Sequence, residues 1–134
     1  MKVIFSTLFL ALLLAVSAPP LLYANSDVQL ITKEQLKPLV DNPDLVIVDV
    51  RRGKDWKSSE FKIKGAVYAD PGDYENWAGV YPKDKKLALY CACPNEATSA
   101  GLARRLIADG YKDVSALKGG WREWFRAKYP VEDK

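Results

Sequence analysis

Residues 87–110 read LALYCACPNEATSAGLARRLIADG, and the fold is decided here. Leu87, Ala88, Leu89 and Tyr90 show no polar alternation, which suits a parallel strand covered on both faces, although four apolar residues alone would equally suit a buried helix segment. The next residues separate the two. Pro94 and Asn95 break regular structure, after which Leu102, Ala103, Leu106, Ile107 and Gly110 recur at helical spacing, with Arg104, Arg105 and Asp109 left for solvent. Cys91 therefore stands where a strand ends and a helix is about to begin.

That position has a chemical consequence. Unpaired backbone N–H groups at a helix start converge on the residue just before it and favour negative charge there. A thiol at that point ionises more readily, because the dipole and the amide donors stabilise the thiolate. The alternative is a small residue filling a loop. Buried structural cysteines belong inside apolar elements, whereas Cys91 borders a polar, helix-capping loop, which favours a nucleophile.

Working outward, 134 residues with 49% hydrophobic side chains allow one domain with a single core and no need of disulfide staples. Lys2 is the only charge in the first 24 residues, so the remainder carries one fewer than the 20 Lys and Arg against 17 Asp and Glu. Such a mild excess gives no ground for a nucleic-acid partner, which would call for a clustered basic face. There is no histidine, which excludes a Cys–His hydrolase and a histidine-ligated zinc site; no metal or cofactor is expected.

Met1 and Lys2 precede an apolar run, Val3 to Val16, and then Ser17, Ala18, Pro19 and Pro20, the layout of a secretory signal peptide. The expectation is a signal segment over residues 1–24, cleaved after Ala24, and one folded domain over 25–134, periplasmic or secreted and without stable membrane insertion. The alternative is a membrane anchor formed by an uncleaved N-terminal helix; the run falls short of the roughly 20 residues a span prefers. An exported chain would normally carry spaced structural cysteines, yet Cys91 and Cys93 are the only two and one residue separates them. A bond between them closes a very small loop with little entropic benefit, so reactivity explains them better than architecture.

Strand and helix alternate along the rest. Val28 to Ile31 predicts a first strand, and Thr32 with Gln35 forms a capping box for a helix through Val40 that Pro38 shortens. Leu45 to Val50 is a β-branched central strand. Arg51 to Lys64 reads as charged and irregular, Gly65 to Ala69 as a short strand, and Asp70 to Lys86 as a long loop with one helical turn. Asp113 to Ala116 predicts a strand, Lys118-Gly119-Gly120 a turn, and Trp121 to Lys128 an amphipathic helix. This alternation means an α/β fold, with a parallel sheet covered on both faces and ligands bound beyond the strands' carboxyl ends. Trp77, Tyr74 and Tyr81 are candidates for an acceptor surface, with packing under the long loop favoured; Trp56 and Trp124 are assigned to core or rim packing.

From Val28 to Val131 the sequence resembles a single-domain rhodanese. The resemblance rests on IVDVR at Ile47 to Arg51, KIKGAV at Lys62 to Val67, LYC at Leu89 to Cys91, GYKDVSALKGG at Gly110 to Gly120, and Trp124. It implies a central parallel five-stranded sheet with helices on both faces. It also implies a sulfurtransferase in which Cys91 takes sulfane sulfur from a small donor (thiosulfate, polysulfide or persulfide) as a persulfide. The sulfur then passes to a thiophilic acceptor, a thiol (a protein thiol included) or a cyanide-like anion. The active loop would be Cys91, Ala92, Cys93, Pro94, Asn95, Glu96 and Ala97. Asp49, Arg51, Lys118 and Trp121 would be supporting residues, with Arg51 either supplying charge or pairing structurally with Asp49.

The departures from the family pattern are specific. Many thiosulfate-using members carry C-x-x-G-x-R; here Pro94 takes the glycine position, removing one N–H, and Glu96 takes the arginine position. Either Glu96 places a carboxylate near the nucleophile and repels a dianion, or it belongs to the first helical turn and points away. A less charged donor than thiosulfate fits this loop better. Related phosphatase loops read C-x5-R, and that position is Ala97, so phosphoryl chemistry lacks its guanidinium fork. Two alternatives stand beside the sulfurtransferase: a thiol–disulfide redox protein using Cys91 and Cys93, and a non-catalytic rhodanese-like binding module.

Overall fold

The computed structural model describes residues 28–134; the expected signal segment lies outside the described residues. Five parallel strands form the central sheet: β1 (Gln29–Ile31), β2 (Leu45–Asp49), β4 (Val67–Tyr68), β5 (Lys86–Tyr90) and β6 (Asp113–Leu117), in the spatial order β1-β6-β5-β2-β4. β5 is thus flanked by β6 and β2, with Asp49 opposite Tyr90 at the carboxyl end.

The missing polar alternation in LALY has a direct cause. Leu87 and Leu89 enter one core with Val48, Val50, Ala103, Leu106 and Tyr111, while Ala88 and Tyr90 enter the other with Leu36, Ile47, Ile63, Leu117 and Trp124. Each fully buried Leu or Val contributes about 1.5–3 kcal/mol, so this strand, buried on both sides, gains from an apolar residue at every position from Leu87 to Tyr90. Helix α4 (Ala97–Ala108) covers the first face through Ala103 and Leu106. Helices α1 (Lys33–Leu36) and α5 (Gly120–Arg126) cover the second through Leu36 and Trp124. Thr32 and Gln35 form the predicted capping box, and Pro38 converts the next turn into a 3-10 helix over Lys37–Leu39.

Two regions differ from expectation. Arg51 to Lys64 is not irregular: it holds α2 (Gly53–Lys57) and β3 (Phe61–Ile63), and β3 pairs antiparallel with β7 (Val131–Asp133) in a separate two-stranded sheet. These elements have three to five residues each, too short to display a period. Asp70 to Lys86 is shaped rather than loose. Asp70 caps a 3-10 turn by accepting from Gly72 N–H at 2.8 Å, and α3 (Tyr74–Trp77) comes next. Its aromatics pack inward: the buried Tyr74 donates its hydroxyl proton to Asp109 at 2.6 Å, Trp77 donates to the Asp70 carbonyl, and Tyr81 leans on the core. Trp124 is fully buried, and Trp56 stacks on Tyr68 with ring centroids 4.1 Å apart. Among the described residues no helix is long and apolar enough to cross a membrane.

Candidate active site

Cys91 comes directly after the last residue of β5 and is 2% exposed. Its carbonyl accepts the Trp121 N–H at 2.9 Å, and a Cβ on Gly120 would collide with that same carbonyl. The Gly119-Gly120 turn is therefore required by its approach to the Cys91 backbone, with both glycines at positive φ. Glu96 ties the turn from the other side, its Oε1 accepting the Gly119 N–H at 2.6 Å. The carboxylate in the family's arginine position thus belongs to the scaffold. It sits at a left-handed N-cap of α4 (φ 55°), after a left-handed Asn95 (φ 54°), rather than inside the first turn. Asn visits this region readily and Glu seldom, so the tether to Gly119 helps hold an otherwise unfavourable backbone.

The two left-handed residues aim the helix start at an unexpected atom. The Thr98 N–H donates to the Cys93 sulfur at 3.2 Å, so this helix amide falls on Cys93 and not, as the sequence suggests, on Cys91. Ala97 N–H is turned back to the Pro94 carbonyl. Near Cys91 Sγ stands the buried Ser99 hydroxyl, 3.5 Å from the sulfur and 3.3 Å from the Glu96 carbonyl, to which it donates. The two cysteines are joined as a disulfide with Cα atoms 5.6 Å apart. Cys93 is half-buried, and Pro94, Asn95 and Ala97 are exposed around it. Thr98 and Ser99 carry no distinctive sequence signal, since both read as ordinary polar residues of a first helical turn.

Beside the loop, Asp49 and Arg51 are completely buried. Arg51 Nε donates to Asp49 Oδ1 at 2.9 Å and Nη2 to Oδ2 at 2.6 Å, with a further bond to the Phe61 carbonyl. Trp121, Trp56 and Tyr90 surround the guanidinium at 4.4, 5.3 and 5.6 Å from their ring centroids. The Tyr90 hydroxyl donates to Asp49 and accepts the Ile63 N–H at 3.1 Å; burial, then the Asp49 charge, push its pKa above the ordinary phenol value. Of the two readings of Arg51, the structural pair is the one realised: its charge is neutralised inside the core. Arg52, Lys118 and Arg122 are exposed cations near the loop. Arg52 lines a cavity of about 580 Å³ with Asp70, Thr98 and Leu102, and Lys118 lines one of about 400 Å³ with Glu96 and Glu123. A third cavity, about 530 Å³, has Ala92, Trp121 and Phe125 in its wall. Among the described residues no group of three or more Cys, Asp or Glu is placed to hold a metal ion.

Comparison with known proteins places this geometry. The family description "Rhodanese-like domain" matches residues 32–127. A thiosulfate sulfurtransferase GlpE from Coxiella burnetii is 30% identical over 95 residues, covering 71% of this chain and 84% of that protein. Its namesake from Glaesserella parasuis is 28% identical over 102 residues, covering 76% and 91%. Among solved structures, a Rhodopseudomonas palustris protein of unknown function, described as a possible tyrosine phosphatase, superposes with a TM-score of 0.70 at 29% identity, covering 81% of this chain and 87% of that one.

Proposed function

The chain belongs to the rhodanese-like domain family, and on that premise we propose that it is a sulfurtransferase carrying sulfane sulfur as a persulfide on Cys91. The observation that carries this reading is the placement of Cys91 at the carboxyl end of a central strand, its backbone gripped by the Gly119-Gly120 turn. The reduced thiolate attacks the outer sulfur of a donor R–S–SH, the donor S–S bond breaks, and RS⁻ leaves. Residues 91–97 hold no cation, Pro94 has no N–H, and the Ala97 and Thr98 amides already have acceptors. A hydropersulfide or polysulfide therefore suits the loop better than dianionic thiosulfate, which the GlpE relatives' name specifies. Export to the periplasm or beyond, from the N-terminal segment, is part of the same proposal. A phosphatase activity, raised by the Rhodopseudomonas protein's description, would need a guanidinium where Ala97 stands.

The disulfide favours one second reading, a thiol–disulfide redox protein. Intact mass of reduced protein exposed to glutathione hydropersulfide, and separately to thiosulfate, tests both. Cys93→Ser gains one sulfur and Cys91→Ser gains none if Cys91 is the carrier, with faster loading from the hydropersulfide. If no variant gains sulfur and the wild type only loses two hydrogens, the carrier fails and the redox pair replaces it.

A further inference from the structure

We propose that Cys93 resolves the Cys91 persulfide, so that the protein discharges its sulfur as sulfide and ends the half-cycle as the Cys91–Cys93 disulfide; this rests on Cys91 being the carrier. Three features of the loop and the start of α4 support it. The two sulfurs reach bonding contact within this fold, with the backbone gripped at Cys91 and turned by Asn95 and Glu96. The helix amide that would stabilise a thiolate, Thr98 N–H, points at Cys93. Ser99 gives its proton to the Glu96 carbonyl, so toward Cys91 it offers a lone pair, which suits an uncharged sulfur, the inner sulfur of a persulfide or of the finished disulfide. Once Cys91 holds the outer sulfur, Cys93 is thus the sulfur set up to be the attacking anion, and Cys91 Sγ the sulfur set up to be attacked.

The balance is complete without an oxidant. In Cys91–S–S–H, the Cys93 thiolate attacks Cys91 Sγ, the bond between Sγ and the outer sulfur breaks, and HS⁻ leaves with the electron pair. The sulfane sulfur is reduced by two electrons, and the two thiols are oxidised to the disulfide. Resetting needs a dithiol. Cys93 is half-buried while Cys91 is 2% exposed, so the dithiol attacks Cys93 Sγ and Cys91 leaves. Seen as an activity, this is dithiol-dependent persulfide reduction: the protein's own second thiol is the reductant, and the carried sulfur leaves as sulfide.

The test is a single turnover on the purified, pre-reduced, desalted protein with glutathione hydropersulfide, reading released sulfide and intact mass against a protein-free blank. Wild type releases one equivalent of sulfide above blank and loses two hydrogens, whereas Cys93→Ser keeps one added sulfur and releases sulfide only at blank level. The proposal is overturned, with the carrier left standing, if wild type retains the added sulfur or if Cys93→Ser releases sulfide as fast as wild type. A glutathionyl adduct on Cys93→Ser, or no added sulfur on any variant, overturns the carrier and this proposal with it.

Discussion

β2 and β5 lie side by side and end opposite each other, Asp49 facing Tyr90, yet the segments that leave their carboxyl ends are built in opposite ways. Beyond β2 a full positive charge is locked away: Arg51 is bidentate on Asp49 inside a box of aromatic rings, and its Nη1 is buried without a hydrogen-bond partner. Beyond β5, among the described residues, the sulfurs are met by one amide and one hydroxyl, and a turn grips the backbone. Arg51 therefore serves the scaffold, and under the proposed function selectivity for the sulfur donor falls to neutral groups. On the proposed function, that division explains how a loop without an arginine serves as a sulfur site, and why its donor should carry little charge.

Of the two strand ends, the β2 end is the more vulnerable. Asp49→Ala leaves a buried guanidinium without its counter-ion, and the expected cost is about 3–5 kcal/mol, readable as a fall in the denaturant midpoint. Asp49 also takes the Tyr90 hydroxyl proton, so the loss propagates to β5. Stability close to wild type would mean that the aromatic box alone can hold the charge, and the contrast between the two strand ends would collapse.

Tyr90→Phe acts on the same network with a smaller effect. It removes a donor to Asp49 and the acceptor of the Ile63 N–H, two buried partners, at about 1–3 kcal/mol. It also changes the pH profile. The folded-state pKa of Tyr90 is raised, so below about pH 10 the phenol is neutral in both folded and unfolded chains and its contribution is complete. As the pH climbs through and above that value the unfolded chain ionises first, and stability is lost. Wild type should thus weaken on the alkaline side more steeply than Tyr90→Phe. Tyr74 and Tyr111 shift in the same direction and keep some slope in the variant. Parallel curves for the two proteins would remove Tyr90 from the network.

The sheet and the position of Cys91 were legible because both rest on local pattern: apolar runs at 45–50 and 87–90 and one amphipathic helix start. β3 and β7 were not, since a three-residue strand has no period and their pairing joins Phe61 to Asp133 across most of the domain. The aim of the helix amide was not legible either. It depends on left-handed backbone at Asn95 and Glu96, and the Glu96 conformation is supported by a contact with Gly119, 23 positions away. A propensity reading puts an acidic residue near a helix start in the first turn, where it answers the dipole. Here the same residue lies one position earlier and answers another turn.

Glu96 is where the two ends can be pulled apart with the least disturbance. Its carboxylate pairs with a partly exposed amide, so Glu96→Ala should cost only about 1 kcal/mol after solvent screening. Ala retains the left-handed penalty while losing the tether; Glu96→Gly also loses the tether but adopts φ 55° freely, and so should recover part of the deficit. Glu96→Gln keeps an oxygen for Gly119 and should leave both stability and loading from thiosulfate as in wild type. A marked rise in thiosulfate loading in Glu96→Gln would show that the carboxylate acts on the donor after all. The β5 end would then resemble the β2 end, with a fixed charge deciding what happens there.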